Sequence, residues 1–112
     1  MSATRAFDYS GPPEIAAALE QALRRVVDPE MALNIVDLGL VYGVEIDEDA
    51  VKVRITMTSA ACPVAELILD DVAQELVALL GPRTKIDCEL VWDPPWDPER
   101  MSPGARMAMG WD

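Results

Sequence analysis

The chain has no histidine, and that absence narrows its chemistry more than any residue present among its 112. Imidazole is the usual general base near neutral pH and the commonest metal ligand, so most cysteine-hydrolase and zinc arrangements are excluded. Cysteine is scarce as well, with only Cys62 and Cys88. Met1–Ser10 shows no long apolar run behind a basic start, so no export signal is expected and the protein reads as cytoplasmic. In that reducing compartment two thiols favour metal binding or catalysis over a disulfide. Positive charge is the third shortage. Nine basic residues against 20 acidic ones leave a net charge of -11, which repels phosphate backbones and anionic headgroups. Nucleic acid and membrane are therefore not expected as partners. No segment approaches the roughly 18 to 20 consecutive apolar residues that a membrane span needs.

What is present suits a packed core, since 51% of the residues are hydrophobic. A chain of this length forms one domain that buries roughly two-thirds of its unfolded surface. Residues 1–11 read as a loose leader and 12–112 as a single domain with a tail. Ile15, Leu19, Ala22, Leu23, Val26 and Val27 recur at helical spacing behind Pro12-Pro13, and Asp28-Pro29-Glu30 stops that helix. Leu40, Tyr42, Val44 and Ile46, then Val51, Val53, Ile55 and Met57, alternate with other residues around the acidic run Asp47-Glu48-Asp49, which predicts a hairpin. Val64–Leu80 carries an amphipathic stripe closed by Gly81-Pro82, and Lys85–Trp92 alternates again. The order helix, strand, strand, helix, strand predicts an α+β two-layer domain, with helices on one face of a small three-stranded sheet. Lys52, Arg54, Asp87 and Glu89 mark its wetter face. Beyond it lies a tail rich in proline and tryptophan, in which Met101–Met109 holds a short helix.

Thr56-Met57-Thr58-Ser59-Ala60-Ala61-Cys62-Pro63 places a thiol where a strand ends and a helix begins. Pro63 suits a first helical position and turns the preceding residue away from helical geometry, which puts Cys62 at the N-cap. Free amides and the positive end of the helix dipole there favour a thiolate, the form that binds metals and attacks electrophiles. An inert, space-filling cysteine accounts for the spacing equally well. Cys88, mid-strand between Ile86 and Leu90, reads as a small core residue.

One thiolate cannot hold a cluster that wants about four ligands. The others would come from a second copy, a small thiol, or the carboxylates Asp28, Glu30 and Asp37. Those acids are also competent turn and helix-stop residues with no further role. Thr58 and Ser59 could hydrogen-bond the sulfur or cap a backbone group, whereas Glu66, one turn into the helix, opposes a thiolate if it points back. Trp92 and Trp96 form either a partner surface or the closed edge of a core.

Four blocks in order carry a resemblance: Asp28-Pro29-Glu30, Asn34-Ile35-Val36-Asp37-Leu38-Gly39-Leu40-Val41, the Cys62 block, and Asp93-Pro94-Pro95-Trp96 with Met101-Ser102. Together they resemble the metal-sulfur cluster biosynthesis family, with its SufT-like maturation factors and PaaD-like subunits, over about Leu23 to Gly110. The resemblance implies a small α+β domain acting in iron–sulfur cluster maturation or transfer rather than metabolite turnover. Its signature thiol falls on Cys62, its threonine on Thr58 and its acids on Asp28, Glu30 and Asp37. The implied cargo is transient iron or an iron–sulfur cluster, and the implied partners are assembly proteins or apo-clients. A homodimer sharing a cluster through one Cys62 per copy fits the same pattern. Longer PaaD-like members carry extra cysteines that are missing here, which favours the SufT-like side. The competing expectation is a non-catalytic accessory subunit of an oxygenase or assembly complex, docking through Trp92 and Trp96.

Overall fold

In a computed structural model of the chain, which describes residues 7–29, 31–48, 50–57, 65–108 and 110, the periodic segments form the elements their patterns imply. Pro13–Ile15 is a single 3-10 turn that leads into α1 (Ala16–Arg24). Proline at the first position costs that turn nothing, because its missing N–H has no partner to lose there. Leu19, Ala22 and Leu23 of α1 are buried. α2 (Ala65–Leu80) buries Ile68, Val72 and Leu76, one stripe at helical spacing, and ends where Gly81 turns to φ 104 and donates its N–H to the Val77 carbonyl at 2.8 Å. A third helix, α3 (Pro103–Ala108), follows a 3-10 turn at Pro98–Arg100.

The main sheet has four strands, not the three read from the sequence. β4 (Val41–Asp47) and β5 (Ala50–Ile55) form the expected antiparallel hairpin, and β6 (Lys85–Leu90) lies parallel to β5 after the α2 crossover. The additional strand is β1 (Asp8–Ser10), which pairs parallel with β4 from within the segment read as leader, giving the order β1-β4-β5-β6. A three-residue strand is too short to show alternation, and its pairing is settled by a partner some 35 positions away (Asp8 with Gly43). The first helix closes at Arg24, short of the Val27 its spacing implies: Val27 is 46% exposed and joins Asp28 in β2 (Val27–Asp28), which forms a separate two-stranded ribbon with β3 (Leu33–Asn34) of the connector, residues 31–39.

Along β5, Val51, Val53 and Ile55 are buried while Lys52 is exposed, so the sheet turns its apolar face to the helices. These strands, Leu19 and Leu23 of α1, Ile68, Val72 and Leu76 of α2, Ile35 and Leu38 of the connector, and Leu40 just before β4 share one hydrophobic core. The opposite face carries ion pairs from Lys52 to Glu89 (3.5 Å) and from Arg54 to Glu45 (3.4 Å). Among the described residues no helix is long and apolar enough to cross a membrane.

Candidate functional site

Two elements flank the cysteine block. β5 closes at Ile55 and α2 opens at Ala65, which agrees with a motif set between a strand end and a helix start. Cys62 and Thr58, and likewise Glu30, lie outside the described residues. The neighbouring residues are well defined. Thr56 and Met57 are buried, and the Thr56 N–H donates to the Leu40 carbonyl at 2.8 Å, tying the approach to the motif onto the Asp37–Leu40 segment. The Thr56 hydroxyl is sealed from solvent without a hydrogen-bond partner. Burying an unpaired hydroxyl costs roughly 1–3 kcal/mol, so Thr56 is an unsatisfied polar position at the edge of the described residues next to the motif. Glu66, in the first turn of α2, is exposed.

Asp28 is completely buried in β2. Its carbonyl accepts from the N–H groups of Met31 (3.2 Å) and Ala32 (2.8 Å), and its Oδ1 lies 3.4 Å from the Met31 N–H. Ala32 adopts φ 59, a left-handed conformation that costs an alanine about 1 kcal/mol or more. Buried carboxylate and strained turn thus bracket the position of Glu30.

Asp37 is held from three sides. Its Oδ1 accepts from Arg24 Nη1 at 2.7 Å and its Oδ2 from Asn34 Nδ2 at 2.8 Å, while its own N–H donates to Asn34 Oδ1 at 2.8 Å. Its carbonyl receives the Ser102 N–H at 2.8 Å. Burial alone would raise the carboxyl, but hydrogen bonds from Arg24, Asn34 and Ser102 outweigh it and hold the group below the usual carboxylate range. The Arg24 guanidinium is raised in turn, chiefly by its bond to Asp37 against the effect of burial, and it also grips Glu20 at 3.0 Å. Both Asp37 oxygens are therefore engaged in a bracket joining α1, the connector and the tail. Arg24 has no sequence signal because its link to Asp37 exists only once α1 packs, whereas Asn34 stands three residues before Asp37 within the same block and its bonds are local.

The tail is laid across that bracket. The Trp96 indole N–H donates to the Leu38 carbonyl at 2.7 Å and its ring packs on the core, while Trp92 remains 45% exposed. The Tyr42 hydroxyl donates to the Pro94 carbonyl at 2.7 Å, and Arg100 stacks on the Tyr42 ring at 4.5 Å. Gly39, at φ 76, lies so close to the Arg100 carbonyl that a Cβ would collide with it.

Cys88 behaves as a core residue. It is partly buried on the apolar face of β6, with its sulfur 4.0 Å from the Leu69 carbonyl. Burial, with added repulsion from Asp87 and Asp70, pushes its thiol up to about 11. Among the described residues no group of three or more Cys, Asp or Glu side chains is arranged to hold a metal ion.

Fold and site together define a small α+β domain in which the cysteine block falls, in chain order, between a sheet strand and the helix that crosses back over the sheet. The sequence profile of the iron–sulfur cluster assembly protein family matches residues 16–87, and the chain belongs to that family. It is 45% identical over 91 residues to the Fe-S protein maturation auxiliary factor YitW of Bacillus subtilis, covering 80% of this chain and 87% of that one. It is 40% identical over 86 residues to the Fe-S protein maturation auxiliary factor SufT of Staphylococcus aureus, covering 76% and 97%. Its fold matches the crystal structure of a domain of unknown function from Bacillus anthracis with a TM-score of 0.80 and 41% identity, over 87% of this chain and 92% of the other.

Proposed function

We propose that the protein is an iron–sulfur maturation factor in which Cys62 transiently ligates iron or a cluster, or meets a client thiol, during delivery. The observation that carries this reading is the state of the second cysteine. Cys88 is held as a thiol by burial, its ionisation pushed up to about 11, so thiolate chemistry near neutral pH falls to Cys62. The maturation-factor names of the two curated relatives support the same assignment. Asp28 and Glu30 supply oxygen ligands or local negative charge, Thr58 a hydroxyl toward the sulfur, and Asp37 positions the connector. A lone thiolate and a few carboxylates suit hand-over better than storage. Two copies contributing one Cys62 each would hold a cluster between them. The working compartment is the cytoplasm, and residues 12–112 act as one domain together with β1. Assembly proteins donate the cargo and apo-clients receive it.

The test is anaerobic reconstitution with iron and sulfide followed by transfer to an apo-ferredoxin. Cys88→Ala should transfer like the parent and Cys62→Ser should not. Equal transfer by Cys62→Ser would remove the thiol from the mechanism. The exposed Trp92 supports a second reading, an accessory subunit that docks through the tail. In that case Trp92→Ala would lose partner binding in a pull-down, while Cys62→Ser would leave that binding unchanged.

A further inference from the structure

A cleft of about 490 Å³ opens where β4, β5, the segment after β6 and the tail converge, within the volume range of small-molecule sites. Val41, Val91 and Phe7 give it apolar walls, and four charged side chains line it: Arg54, Arg100, Asp8 and Asp93. None of the four is paired with another of them. Arg54 reaches only Glu45, at 3.4 Å, and Arg100 lies on the Tyr42 ring with no carboxylate within ion-pair distance among the described residues. Both guanidiniums are seated by local geometry. Arg54 rests so closely on the bare Cα of Gly43 that a Cβ there would strike its Nη2, and the backbone of Arg100 is packed onto Gly39.

We propose that this cleft binds a zwitterionic ligand of the amino-acid type, its carboxylate on Arg54 and Arg100, its ammonium on Asp8 and Asp93, and an apolar side chain against Val41 and Val91. The charge balance selects that class. A polyanion such as phosphate would meet two arginines but also two aspartates, in a protein of net charge -11. A metal cation would meet the guanidiniums. A purely apolar ligand would strip water from four charges and return nothing to them. A ligand bearing both charges satisfies both pairs, and arginine's planar fork suits a carboxylate. The site uses neither Cys62 nor its block.

The experiment is an amide NMR titration of the full-length, metal-free protein with L-leucine, and separately with L-leucyl-L-leucine, whose charged ends lie farther apart. Saturable shifts at Tyr42, Gly43 and Val91 are expected with one of the two, and which one distinguishes a free amino acid from a peptide terminus. N-acetyl-leucine and leucinamide, each lacking one charge, should bind roughly tenfold more weakly, as should Arg54→Gln and Asp93→Asn. Gly43→Ala keeps every charge but evicts the Arg54 guanidinium, so it should abolish the preference for leucine over leucinamide. If it does not fold, Arg54→Gln reads the same arm. No saturable shift with either probe, equal binding of the single-charge analogues, or tighter binding of inorganic phosphate would overturn the proposal.

Discussion

Burial sets the state of the Cys88 sulfur, and the consequence is measurable. Because Cys88 ionises near 11 in the folded protein against about 9 for a free thiol, the folded state keeps its proton where the unfolded chain has lost it. The stability this provides is complete below the free-thiol value and is lost as pH rises through the interval from 9 to about 11. Denaturation midpoints measured across that interval should fall for the parent and fall less for Cys88→Ala. Asp37 has the opposite sign. Its lowered ionisation contributes stability above the ordinary carboxylate range that disappears as pH falls through the folded value. Asp37→Asn should cost about 1 kcal/mol in chemical denaturation at neutral pH, since Arg24 is partly exposed and the pair is screened, and should weaken the acid dependence. A variant as stable as the parent would show that the bracket contributes nothing.

At the scale of elements, alternation and amphipathic spacing made α1, α2 and the β4–β5 hairpin readable, because each buries one face and that requirement is written locally. The fourth strand was not readable. Asp8-Tyr9-Ser10 has no pattern of its own and becomes a strand only because β4 offers it an edge. The β2–β3 ribbon is hidden for a similar reason, with two paired residues on each side of a proline-containing turn. The cysteine block showed in sequence because proline and the strand boundary are local signals. The Arg24–Asp37 clamp spans 13 positions and the Trp96–Leu38 bond spans 58, so neither has a sequence signature. Gly39 links element to tail, and replacing it should loosen both. Gly39→Ala forces a left-handed alanine against the Arg100 carbonyl, with an expected cost of about 2 kcal/mol and faster proteolysis within 93–108. Unchanged protease resistance would mean that the tail is held without that contact.

For the whole molecule, charge dominates. Arg24, Arg25, Lys52 and Arg54 are each matched to a carboxylate, yet 20 acids against nine bases leave a large surplus of like charge. Such a surface repels itself, so raising NaCl from about 10 mM to about 0.5 M should raise the thermal midpoint, the reverse of what loss of the exposed ion pairs alone would give. Under the proposed function, the same surplus suits a cationic metal cargo. Whether that cargo passes through a single sulfur is decided most directly by native mass spectrometry after anaerobic incubation with iron and sulfide. The parent and Cys88→Ala should retain iron, with or without sulfide, and Cys62→Ser should retain neither. Equal loading of Cys62→Ser and the parent would contradict the assignment.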